Sequence, residues 1–154
     1  YVLNGKIEGA QQHCMNENIP VARLILKGLS RIGRPLEDIN TSIENAGKLE
    51  VYKLEKNISV LATVSGVAPM LGFLGTVIGM ILSIFEISNA GGNIDMQLLS
   101  DGLYTAMTTT VAGLIVGICG YISYNHLVVK INKVVYQMES STLDFLDLLN
   151  EPAE

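Results

Sequence analysis

The apolar and polar positions divide the chain into a mixed beginning, two apolar runs and a mixed end. From Asn57 to Phe85, and again from Gly102 to Val129, no residue carries a full charge. A membrane-spanning helix needs about 20 apolar residues, and both runs exceed that. Outside them the periodicity is that of amphipathic helices. Val21, Leu24, Ile25, Leu29 and Ile32 recur at helical spacing, with Arg23, Lys27, Ser30 and Arg31 on other faces. Gly33-Arg34-Pro35 breaks this helix. Pro35 suits the first position of the next one, with Glu37 and Asp38 in its first turn. Ile39, Ile43 and Ala46 continue an apolar stripe, which either rests on a membrane surface or, as is commoner, packs on neighbouring helices. From Lys48 the pattern runs without a clear stop into the first apolar run, where Pro69 should kink the helix or loosen one hydrogen bond.

The sequence NAGGN, Asn89–Asn93, signals a turn. From Tyr121 to Glu151 there is neither Gly nor Pro, and Leu127, Ile131, Val134, Val135, Met138, Phe145, Leu146 and Leu149 keep helical spacing. A single helix from Gly102 to Leu149 would be about 70 Å long at 1.5 Å per residue. The hydrocarbon core of a bilayer is only about 30 Å thick, so this helix must project beyond it. The pattern predicts an all-α membrane protein with amphipathic helices over 1–56 and a transmembrane helix over 57–87. A short loop over 88–101, a transmembrane helix over 102–126 and an extension of that helix over 127–154 complete it.

Charge gives the orientation. All 10 Lys and Arg lie at or before Lys56 or at or after Lys130, and the connector between the runs carries only Glu86, Asp95 and Asp101. Positive flanks stay in the cytoplasm, so the connector is expected outside it. Charged residues make up 16% of the chain, against about 25% in ordinary soluble domains, which again favours lipid. The net charge of −5 gives no reason to expect nucleic acid as a partner. Cys14 and Cys119 fall in places that do not favour a disulfide, and no ligand cluster accompanies them. No Ser–His–Asp grouping, phosphate-binding loop or paired histidine ligands are present, so the chain reads as a non-enzyme without a cofactor or metal.

The polar residues inside the apolar runs carry the candidate chemistry. Thr108, Thr109 and Thr110 are consecutive and so point in three directions on a helix. Thr110 shares its side with Ala106, Gly113 and Gly117, and the first run holds a matching stripe of Gly72, Thr76, Gly79 and Ser83. Such stripes let helices approach closely, and a threonine can also return its hydroxyl to the carbonyl one turn back, as expected for Thr108 or Thr109. The other reading is that Thr76 and Thr110 face a polar path or a partner helix with an ionisable group. Spacing alone leaves both open, including a passive scaffold in which the stripes only pack helices.

APMLGFLGTVIGMILSI (Ala68–Ile84) followed by GLYTAMTTTVAGLIVGI (Gly102–Ile118) resembles the ExbB/TolQ/MotA family of ion-driven motor subunits, most closely its ExbB branch. IPVARLILKGLSRIGRP (Ile19–Pro35) and IENAGKLEVYKLEKNI (Ile43–Ile58) resemble the same branch. The resemblance implies three transmembrane helices, of which this chain holds the second and third, with the first expected before Tyr1. It implies a multi-pass subunit of the bacterial inner membrane that forms a pentameric ring in lipid. Inside the ring stand single-span ExbD/TolR-like helices, each supplying an ion-binding aspartate. Proton flow would drive the machine, and in the ExbB branch a TonB-like protein passes the motion on to outer-membrane import.

By position, the resemblance makes Thr76 and Thr110 the pore threonines, with Thr109 and Thr105 further along the ion path. It makes Gly72, Gly79, Ser83, Ala106, Gly113 and Gly117 the small surface along which a partner helix moves. The family often has glutamate where this chain has Thr105, so ion access differs here or uses an acid such as Asp101. The additional hydroxyls also suit a sodium-driven variant, and TolQ-like or flagellar MotA-like subunits share the general pattern.

Overall fold

The computed structural model describes residues 1–2, 5–89 and 96–150. Five helices follow one another: α1 (Ile7–Asn16), α2 (Pro20–Leu29), α3 (Leu36–Glu55), α4 (Ile58–Asn89) and α5 (Met96–Asn150). The described residues contain no strand. Two compact units emerge, one from Tyr1–Lys56 with Val129–Glu154, the other from Asn57–Val128.

The first unit has a conventional apolar core. Ile43, Leu29, Met138, Leu24 and Ile39 are all at most 4% exposed, and Phe145 and Ala10 join them. The stripe predicted on α2 thus faces inward at Leu24 and Leu29, whereas Ile32, past the helix end, is 36% exposed. Gly28 is buried because Phe145 and Ile43 occupy the place of a side chain, with atoms 2.6 and 2.7 Å from where a Cβ would stand. Gly33 turns the chain in the left-handed region (φ 94°), which a side chain would disfavour. Pro35 caps α3 rather than opening it. Its backbone is extended, and Leu36 takes the first helical place. The predicted run from Lys48 into the apolar segment is interrupted at Lys56–Asn57, although Lys56 keeps helical backbone and its N–H donates to Tyr52 O at 3.0 Å.

One buried residue of this unit is charged. Glu50 is 6% exposed and accepts from Arg23 Nη2 at 2.5 Å and Lys53 Nζ at 2.7 Å. Arg23 Nη1 donates to Asn18 Oδ1 at 2.8 Å, while its buried Nε has no hydrogen-bond partner among the described residues. The hydrogen bond from Arg23 holds the Glu50 carboxyl below the usual carboxylate range, against the opposing effect of burial. The position was legible in principle: Glu50 lies on the stripe of Ile39, Ile43 and Ala46, where a carboxylate is out of place unless paired.

The second unit holds the apolar parts of α4 and α5. Both helices are long and apolar enough to cross a membrane. Pro69 lies inside α4 as predicted. α4 runs to Asn89 and α5 begins at Met96, ahead of the Gly102 at which that helix was expected to start. Met96–Asp101 contains neither Gly nor Pro, so nothing stops the helix there, and Gly102 serves instead as a contact point for Ser83. The rest of the turn signal, residues 90–95 with Asp95, lies outside the described residues.

Candidate functional site

The two small-residue stripes face each other along an antiparallel seam between α4 and α5. Reading along it, Ser83 meets Gly102, Gly79 meets Ala106, Gly72 meets Thr109, Thr110 and Gly113, and Gly117 meets Pro69 and Ser65. A Cβ on Gly113 would stand 2.6 Å from Ala68 O and 2.9 Å from Gly72 Cα, and one on Gly72 would stand 3.0 Å from Thr109 O. At Gly72 and Gly113 the two backbones therefore approach so closely that a side chain would not fit. Gly72, Ser83, Ala106 and Gly117 are buried, and Gly79 and Gly113 are partly so. All six predicted partner-facing residues are therefore occupied in joining the chain's own two helices.

Midway along the seam the hydroxyls of Thr76 and Thr110 touch. Thr110 Oγ1 also lies 3.1 Å from Gly72 O, and Thr76 Oγ1 lies 3.3 Å from both Gly72 O and Ala106 O. Thr109 Oγ1 approaches the same two carbonyls, at 2.7 Å from Ala106 O and 3.4 Å from Gly72 O. Three hydroxyls and two carbonyls therefore converge where sequence spacing alone could only say that two threonines sit on small faces. Thr76 and Thr110 are half-buried, and Thr109 is exposed beside them. Gly75 leaves the notch that Thr109 fills, since a Cβ there would stand 2.5 Å from Thr109 Oγ1.

Thr105 stands apart from the cluster. It is exposed and donates to Asp101 O at 2.9 Å, while Thr108 donates to Tyr104 O at 2.8 Å. The expected return bond thus forms at both Thr108 and Thr109. Thr105 and Asp101 lie one helical turn apart, so acid and hydroxyl share one side of α5.

The chemistry available follows from these groups. A hydroxyl has one proton to donate and two lone pairs, so the threonines can bond each other, a carbonyl, water or an incoming carboxyl group by rotation alone. None of the residues in the cluster ionises in the ordinary range, and neither apolar run contains an acid. The cluster thus offers hydroxyl donors and acceptors but no ionisable group of its own.

Residues 16–140 match the MotA/TolQ/ExbB proton channel family. Among individual proteins, the chain is 36% identical over 111 residues to the biopolymer transport protein ExbB of Aquifex aeolicus, covering 71% of this chain and 74% of that one. It is 28% identical over 135 residues to an ExbB homologue of Methanothermobacter thermautotrophicus, covering 88% of this chain and 47% of the relative. It is also 29% identical over 104 residues to the Tol-Pal system protein TolQ of Haemophilus influenzae, covering 68% of this chain and 45% of that protein. The chain thus spans about half the length of the last two. No solved structure matches it with significance.

Proposed function

Since the chain belongs to the MotA/TolQ/ExbB proton channel family, a family of membrane proteins, we propose that it is an ExbB-like subunit of an ion-driven motor in the bacterial inner membrane. Five copies form a ring in lipid around single-span helices of ExbD/TolR type, with both basic flanks in the cytoplasm and the connector in the periplasm. Protons move down their gradient by way of an aspartate on the partner helix. The resulting motion is handed to a TonB-like protein that drives outer-membrane transport.

The observation that carries this reading is the meeting of Thr76 and Thr110 in a stretch without any acid. A carboxylate at mid-membrane is costly unless it finds hydrogen-bond donors. The threonine cluster supplies donors, and its half-buried position lets an outside group reach it. Because Gly72, Ser83, Ala106 and Gly117 are buried in the chain's own seam, the partner helix is assigned to the flank where Thr105 and Thr109 are exposed. Asp101 beside Thr105 then takes the part that the family often gives to a glutamate. Three hydroxyls near two carbonyls also suit a dehydrated sodium ion, which is the second reading for the coupling ion. The TolQ relative keeps a Tol-type rather than TonB-type output as the second reading for the work performed.

The test replaces Thr76 or Thr110 by Val in the full protein with its partner. Energy-dependent uptake should be lost while the assembled complex survives purification. Normal uptake in both variants would sink the proposal. If uptake instead tracks external sodium rather than pH, the sodium reading takes its place.

A further inference from the structure

We infer that copies of this chain join through two unlike faces of the Tyr1–Lys56 and Val129–Glu154 unit, an acid-rimmed groove on one copy receiving the basic face of α2 from the next. The inference rests on the ring reading above and assigns the surfaces that would close it.

The groove runs between α3 and the end of α5, with a volume of about 660 Å³. Its floor is apolar, made by Leu24, Ile43, Val51, Val135, Met138 and Leu146. Tyr52 and Leu143 stand along it, 66% and 62% exposed, which is a poor use of large apolar groups in water. Its rim holds Glu44, Lys48, Glu55 and Glu139. Lys48 is taken by Glu44 at 2.7 Å, and among the described residues no cation pairs with Glu55 or Glu139. The groove therefore carries two uncompensated negative charges over an apolar floor.

The α2 surface is its complement. Arg23 and Lys27 line a separate hollow of about 320 Å³ with Gln11, Met15, Leu26 and Ser30, and this hollow shares no residue with the groove. Arg23 is occupied by Glu50, but among the described residues neither Lys27 nor Arg31 has an ionic partner. Met15, which lines the same hollow, is 67% exposed, and Ile19 and Ile32, which flank α2 in the chain, are exposed by 49% and 36%. The α2 region thus offers Lys27 beside an exposed Met15, with Arg31 one helical turn further along the chain, and the groove offers two free carboxylates and an open apolar floor. A contact between unlike faces leaves each copy with one of each still free, and repeated around an axis it closes a ring. An interface of this kind also orders neighbours by charge, since like faces repel.

The experiment uses the full-length protein, purified in detergent, and follows oligomeric state by native mass spectrometry. Lys27→Glu with Arg31→Glu should abolish the oligomer, and so should Glu55→Lys with Glu139→Lys. A mixture of the two variants should regain assembly, because each then meets an opposite face. Lys27, Glu55 and Glu139 are exposed and Arg31 is half-buried, and helical circular dichroism checks that the variants fold. A second measurement places cysteines at Lys27 and Glu139 in a Cys14→Ser, Cys119→Ser background. A short bismaleimide should give a ladder of linked chains from the double-cysteine protein and none from either single one.

Linked dimers from Lys27→Cys alone would mean like faces meet, and would overturn the inference. So would reversals that leave the oligomer intact, in which case the ring reading stands with other contacts. Loss of binding to phosphatidylglycerol vesicles in the Lys27/Arg31 variant, with the oligomer unchanged, would assign the basic face to lipid instead. A wild-type chain that stays monomeric while still binding its single-span partner would remove the ring reading and this interface together.

Discussion

The two units of this chain are built inside out with respect to each other. In the first, the buried residues are large: Ile43, Leu24, Leu29, Met138 and Phe145. In the second, the buried residues are Gly72, Ser83, Ala106, Gly117 and Gly120, while Phe73, Leu74, Ile81, Ile115 and Ile118 are turned outward and at least half exposed. Water explains the first arrangement, because burying apolar surface stabilises it by about 25 cal/mol per Å². Lipid explains the second, because tails are as apolar as leucine and give no reason to hide it. What remains to hold two helices together in lipid is close backbone approach and hydrogen bonds, and the seam supplies both. Polar groups follow the same division. In the first unit a buried charge is held by Arg23 and Lys53, whereas among the described residues of the second the enclosed polar side chains are neutral hydroxyls.

The contrast can be broken most severely at Gly113. Gly113→Leu should prevent the hairpin from closing, at a cost beyond the about 1–3 kcal/mol of ordinary overpacking, because backbone rather than side chains stands in the way. Protease resistance of the membrane-inserted chain reads this out, and a variant as resistant as wild type would show that the seam is not closely packed. Next comes Phe145→Ala in the other unit, where deletion of a buried ring should cost about 3–5 kcal/mol in denaturant unfolding. The same substitution at Phe73, 66% exposed on α4, should cost far less, and equal losses would erase the difference between the units.

The ion pair comes third. Glu50→Gln should cost about 1–3 kcal/mol at neutral pH, between the limits for surface and buried pairs, since Arg23 is itself 39% exposed. The folded Glu50 carboxyl lies below its unfolded value, so its stabilisation is present above that unfolded value, near 4.3, and is lost as pH falls through the folded one. The Gln variant should therefore lose less stability than wild type on acidification below about pH 4.3. Identical acid limbs would mean that Glu50 is not the group titrating. The smallest effect is expected at Thr110→Val, about 0.6 kcal/mol on stability, the usual size of a hydrogen bond between membrane helices. A loss of several times that would make Thr110 a structural residue first and would weaken its assignment to ion transfer.

Much of the fold was legible because it depends on local pattern. Absence of charge marked α4 and the apolar half of α5, and the lack of Gly or Pro after Tyr121 foretold one continuous helix. Helix ends were read less well. α5 starts at Met96 because nothing there halts it, and the glycine taken as its boundary proved to be a packing point. The threonines at the centre of the candidate site were marked by their small-residue neighbours, but their mutual contact was not. A stripe of small residues looks the same from sequence whether it meets a sibling helix, a partner or a pore.

The sequence by itself determined the number and type of elements, the segments suited to lipid and the residues able to carry hydrogen bonds inside them, since composition and a 3.6-residue period act over a few turns of one helix. Only the tertiary structure decided that the two stripes bind each other, that Thr76 meets Thr110, and that Glu50 is enclosed by Arg23 and Lys53. Those outcomes depend on how segments distant in the chain meet, and along the seam that register is set by which glycine admits which neighbour in three dimensions.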